Sequence, residues 1–160
     1  MKRTGFTLIM LGFLSLTLSA EWLSFDQGIT QAKKKNKPLM VDFYTDWCHW
    51  CKVLDQKTFS DKTVKAYLDK YYVTSKILAD SKTQSAQYKG KTYKNNELTS
   101  AMGITGFPAL MFFDAKGDVI TRVPGYIPPE EFILILKYIN EGHYKNNVSF
   151  DDFKKKQKSS

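Results

Sequence analysis

Leu39-Met40-Val41-Asp42-Phe43-Tyr44-Thr45-Asp46-Trp47-Cys48-His49-Trp50-Cys51-Lys52 is the stretch that decides the fold of this 160-residue chain. Leu39 to Tyr44 is an apolar run with the length and aromatic content of a buried strand. Cys48 and Cys51 are the only two cysteines in the sequence, and three residues of separation lets them close on each other. The residues that follow, through Val53, Leu54 and Thr58, read as helix. Strand, then Cys-x-x-Cys, then helix is a redox arrangement.

The flanking sequence extends the pattern. Trp22, Phe25, Ile29 and Ala32 fall at helical spacing, with Ser24 or Asp26 as the cap, and Asn36-Lys37-Pro38 ends that opening helix. Ser60-Asp61 starts another helix, in which Val64, Tyr67 and Leu68 share a face. Tyr71 to Ala79 reads as the next strand. The stretch 81–95 is polar, basic and broken by Gly90, so a loop or a poorly ordered insertion is expected there. Asn96 can cap a short helix over Glu97 to Met102. Ala109 to Phe113 is a second buried strand, Asp114 to Asp118 a turn, and Val119 to Val123 the returning strand. Pro128-Pro129-Glu130-Glu131 opens a last helix with Phe132, Ile135, Leu136 and Ile139 on its apolar face, closed by Gly142. The order predicts an α/β protein with a mixed sheet and helices on both faces.

Length suggests one domain with a core of its own. Residues 1–20 read differently: Lys2 and Arg3, an apolar run from Phe6 to Leu18, then Ser19-Ala20 form the pattern of a cleavable secretory signal. The expected division is a signal peptide over 1–20, the domain over 21–145 and a basic polar tail over 146–160, in which Phe150 and Phe153 can dock a last turn. The formal charge of +8 falls to +6 once Lys2 and Arg3 are removed. The lysines read as spread over a helix end, the 81–95 stretch and the tail, as solvated charges rather than one patch, and no nucleic-acid partner is expected. An exported chain, periplasmic by this reading, enters an oxidising compartment with one close cysteine pair and no other. Such a chain handles disulfides rather than being stapled by them.

Two segments of the chain resemble those of a known family. Val41 to Lys52 resembles the active-site segment of thioredoxins, and Gly103-Ile104-Thr105-Gly106-Phe107-Pro108-Ala109 resembles their second signature. With Thr58-Phe59-Ser60-Asp61 added, the chain looks most like the C-terminal periplasmic thioredoxin-like domain of the electron transporter DsbD and its small exported relatives. The resemblance covers roughly 25–138 and implies a thioredoxin fold with a central mixed sheet. It also implies protein disulfides as substrates, a membrane electron donor of the DsbD type, no cofactor and no metal; a monomer is expected. The 81–95 stretch departs from a minimal thioredoxin.

Cys48 is the expected attacking residue, because a cysteine at a helix N-terminus meets unsatisfied N–H groups that favour the thiolate. Cys51, one turn on, would attack Cys48's sulfur and release the reduced partner. His49 can tune the thiolate by charge or hydrogen bond. Asp42, six residues before Cys48 in an apolar strand, should be buried with a raised pKa and able to take the proton from Cys51. The resemblance gives an aspartate at this position that role and pairs it with Lys76. It also makes Pro108 a cis-proline facing the cysteines, with Trp47, Trp50 and Phe107 as an apolar rim that binds substrate. The direction stays open, since an oxidase or isomerase uses the same residues. Two other classes stay open too: a metal site on Cys48, Cys51 and His49 or His143, and a redox-silent binding module.

Overall fold

The computed structural model describes residues 22–158, so the signal expected over 1–20 lies outside the described residues. Its centre is built by alternation along two buried strands. β1 (Leu39–Tyr44) points Leu39, Val41 and Phe43 to one face and Met40 and Asp42 to the other, as a period of two requires. β5 (Ala109–Phe113) does the same, with Ala109, Met111 and Phe113 opposed to Leu110 and Phe112. Every residue of β5 is buried, which is why both strands read as near-continuous apolar runs.

β2 (Val73–Leu78) lies parallel to β1, with Leu39 opposite Val73 and Tyr44 opposite Leu78. β5 runs antiparallel to β1, with Phe43 opposite Ala109. β6 (Val119–Pro124) runs antiparallel to β5. The sheet order is therefore β2-β1-β5-β6, a mixed sheet.

Helices cover both faces. α1 (Phe25–Lys35) starts in a capping box, where Ser24 accepts the Gln27 N–H and Gln27 accepts the Ser24 N–H, and it ends at Asn36 in the left-handed conformation. With α4 (Asn95–Ala101) it covers the face of Val41 and Phe43. α3 (Lys62–Tyr71) and α5 (Pro129–Asn140) cover the face of Met40 and Phe112. Asp61 Oδ1 accepts the N–H groups of Thr63 and Val64 at 2.9 and 3.0 Å, so the restart read at Ser60-Asp61 has its cap.

Several elements differ from the sequence reading. The 81–95 stretch is not a loop: β3 (Ser85–Tyr88) and β4 (Lys91–Lys94) form an antiparallel hairpin. Ala86 is its only buried residue, so no apolar run announced it; it is held instead by long-range contacts. The Tyr88 ring lies 6.1 Å from Phe25 and 6.0 Å from Phe113, and Asp26 Oδ1 accepts the Gln87 N–H at 2.7 Å. The helix opened by the cysteines is short: α2 (His49–Val53) passes into a π-helical segment, Leu54–Phe59. The strand read over 71–79 loses its first two residues, because α3 continues to Tyr71. In the 146–160 tail, α6 (Phe150–Lys158) is a full helix whose buried Phe153 packs 5.6 Å from the ring of Tyr138 on α5.

Candidate active site

The site forms where β1 ends. Thr45, Asp46 and Trp47 carry the chain over the sheet edge, and the Cys48 N–H donates to the Thr45 carbonyl at 3.2 Å. Cys48 is the N-cap of α2, and its Sγ accepts the Cys51 N–H at 3.1 Å. Cys48 and Cys51 are joined as a disulfide with Cα atoms 5.3 Å apart. Both are largely buried, Cys51 slightly more than Cys48. A backbone donor already aimed at Cys48 Sγ is a fixed dipole that favours negative charge on that sulfur once the bond is reduced.

Asp42 lies on the face of β1 that also carries Met40, the face packed by Leu54 and Phe59 of the helical segment following the cysteines. It is 1 % exposed, and neither carboxylate oxygen has a hydrogen-bond partner. Burial pushes its pKa up from 3.8 to about 6; Lys76 pulls it down and Asp55 pushes it up, each by less. Lys76, opposite Asp42 on β2, brings its Nζ to 3.4 Å from Asp42 Oδ2 and also pairs with Asp55. At 3.4 Å the Asp42 contact is an ion pair without hydrogen-bond geometry, which leaves the carboxylate poorly compensated.

The rings of Trp22, Tyr44 and Phe59 stand 4.7, 5.4 and 5.5 Å from the Lys76 Nζ and wall it in. Asp55 was not anticipated from sequence. Its position seven residues after Cys48, two helical turns on, was the available signal.

The Phe107–Pro108 peptide is cis. Because Ala109 pairs with Phe43, Pro108 lies at the same end of the sheet as Thr45 to Cys48. Its carbonyl accepts the Gly125 N–H at 2.8 Å, tying the loop to the end of β6. Arg122 on β6 donates to the carbonyl of Gly103, bracing the other end of that loop.

Aromatic side chains surround the disulfide. Trp47 is 70 % and Trp50 53 % exposed, unusual for residues this large. Trp47 packs edge-on to Phe107 with centroids 6.0 Å apart, and its Nε1 donates to Asp80 at 2.9 Å. Trp50 leans on Tyr126 at 5.5 Å and on His49 at 5.6 Å. Tyr126 and Asp80 also escaped the sequence reading: each sits in a connection with no periodic signal. His49 is exposed, its ring against Trp50. His143 sits instead in the aromatic cluster of α5 and α6, 4.7 Å from Phe153, with its Nε2 2.9 Å from Glu141. Among the described residues no group of three or more His, Cys, Asp or Glu side chains is placed to hold a metal ion.

A thioredoxin-like domain model matches residues 25–140, most of the chain and both signature loops. The chain belongs to the thioredoxin-like family. The thiol:disulfide interchange protein DsbD of Vibrio vulnificus is 33% identical over 109 residues, 67% of this chain and 17% of that relative. The chain thus spans only a small part of the length of the relatives it matches. Among solved structures, a thioredoxin-fold protein from Helicobacter pylori superposes with a TM-score of 0.64 at 20% identity, covering 78% of this chain and 82% of that one. The C-terminal domain of Neisseria meningitidis DsbD gives 0.54 at 21% identity, covering 71% and 91%. The fold is the thioredoxin fold. In this thioredoxin-like chain the cysteine pair and its N-cap geometry are those that thiol:disulfide exchange requires.

Proposed function

We propose that this protein is an exported reductase of protein disulfides, working in the periplasm and recharged by a membrane electron donor of the DsbD type. The observation that carries the exchange chemistry is Cys48 at the helix start, with the Cys51 N–H directed at its sulfur. In the reduced enzyme the Cys48 thiolate attacks one sulfur of a substrate disulfide. A Cys48–substrate disulfide forms, and the other substrate sulfur leaves as a thiolate that takes up a proton. Cys51 then loses its proton and attacks Cys48 Sγ; the enzyme disulfide forms and the second substrate sulfur leaves reduced. Two electrons have passed from enzyme to substrate.

Asp42 is the proposed acceptor of the Cys51 proton. A buried carboxyl held at about 6 is a base near neutral pH, and ion pairing through Lys76 to the exposed Asp55 gives the proton a route outward. His49 is exposed beside the nucleophile and is assigned the tuning of its charge. Trp47, Trp50 and Phe107, with Tyr126, form the docking rim, and the backbone before Pro108 pairs with an extended substrate segment. Export through the 1–20 signal and the monomeric state belong to the same proposal, as do the 21–145 domain and 146–160 tail boundaries.

The test is reduction of insulin disulfides by dithiothreitol with catalytic amounts of the protein. The expected result is a turbidity onset several-fold earlier than with dithiothreitol alone. No acceleration is the result for a redox-silent module.

A further inference from the structure

Lysines that read as scattered along the sequence come together at one end of the fold. β1 begins at Leu39, opposite Val73 and Phe113, so the exits of α1 and α3 and the β5–β6 turn share that end. Lys33, Lys34 and Lys35 close α1, and the Lys37 Nζ that follows donates to the Lys70 carbonyl at the end of α3, 2.5 Å away. Lys116 stands in the β5–β6 turn. The tip of the β3–β4 hairpin reaches the same turn, where Lys89 pairs with Asp118 at 2.9 Å, and Lys91 follows over the Tyr93 ring.

The acidic groups there are already engaged. Asp114 Oδ1 accepts the N–H groups of Lys116 and Asp118, Asp118 holds Lys89, and Asp69 pairs with Lys65. Compensation of a helix C-terminus accounts for Lys33 to Lys35, and the Asp118 pair for Lys89, but neither accounts for Lys91 or Lys116, which lie at no helix end. The disulfide sits at the opposite pole, beyond the far end of β1 and roughly 17 Å of strand away.

We infer that this basic pole binds an anionic lipid surface and holds the protein against the membrane with its dithiol facing away. The inference rests on the exported reductase reading, which puts phospholipid head groups within reach. Compact ammonium charges without guanidinium forks suit a lipid surface better than nucleic acid, and the one described arginine, Arg122, is taken up by the Gly103 carbonyl. Tyr71 and Tyr93, half-exposed beside Lys70 and Lys91, suit the head-group layer. A donor dithiol that recharges Cys48 must then project from the membrane, and soluble substrates approach unobstructed.

The experiment is co-sedimentation of the chain from Glu21 onward, which contains the whole described fold without the apolar leader, with phosphatidylcholine vesicles. One set carries about 30 mol% phosphatidylglycerol and one carries none, at about 50 and about 500 mM NaCl. Binding is expected only to the anionic vesicles at low salt. Lys33→Glu, Lys34→Glu and Lys35→Glu together should weaken it about tenfold or more, with insulin reduction unchanged and the melting temperature lowered by only a few degrees, the loss of charge compensation at the end of α1. Equal binding by wild type and triple variant, no binding to anionic vesicles, or tighter binding to duplex DNA would each overturn the inference. Vesicle binding without insulin reduction would keep the basic surface and remove the reductase reading instead.

Discussion

Cys51→Ala is expected to accumulate on its substrates as covalent mixed disulfides, while Cys48→Ser accumulates none and loses insulin reduction by about a thousandfold or more. The asymmetry follows from position. Cys48 is the cap residue, with a backbone N–H aimed at its sulfur, so it is the activated one. Cys51 lies one turn further along the helix and acts on the Cys48 sulfur. Without it the first exchange still occurs but cannot be resolved. Non-reducing gels of periplasmic extract with each variant separate the two. Equal trapping by both, or trapping by Cys48→Ser alone, would assign the attack to the wrong sulfur.

Asp42→Asn should raise the stability of the oxidised protein at pH 8 by about 3 kcal/mol more than it does at pH 3.5. Its carboxyl is held at about 6 in the folded state against an ordinary 3.8, so between those values the folded protein holds a proton that the unfolded chain has lost. Ionisation of Asp42 therefore works against folding. The cost is absent below the unfolded value, grows as pH rises from about 4 to about 6, and is complete above that.

Asparagine keeps the shape of the protonated side chain and removes the titration. Urea unfolding of wild type and variant across that range measures the effect; a difference that stays constant with pH would remove the buried-carboxylate account. The same substitution should slow release from the mixed disulfide near pH 7 by about a hundredfold, the ordinary worth of a positioned base.

The sheet was legible because its central strands are buried on both faces. Ala109 to Phe113 is an unbroken apolar run and Leu39 to Tyr44 is interrupted only by Asp42, and their read boundaries match the structure residue for residue. Asp42 was legible for the same reason, since a lone carboxylate in such a run has nowhere polar to go. The hairpin at 85–94 was not legible: its one buried side chain, Ala86, carries no periodic signal, and Tyr88 and Asp26 hold it through contacts distant in sequence. The basic pole was invisible for a related reason. Its lysines come from four separate segments, put together by the register of β1 against β2 and β5 and by the hairpin tip that meets the β5–β6 turn at Lys89 and Asp118. Asp55 and Tyr126 complete the site from a π-helical turn and a loop, two places where spacing along the chain says little about direction in space.

The reduction potential of the Cys48/Cys51 pair tests the central claim most directly, measured by equilibration with glutathione or dithiothreitol buffers. A protein disulfide reductase requires a value of about −200 mV or lower, toward the thioredoxin end of the range. A value near −120 mV, about that of the strong oxidants of this fold, would contradict the reducing direction and make the same two cysteines a donor of disulfides.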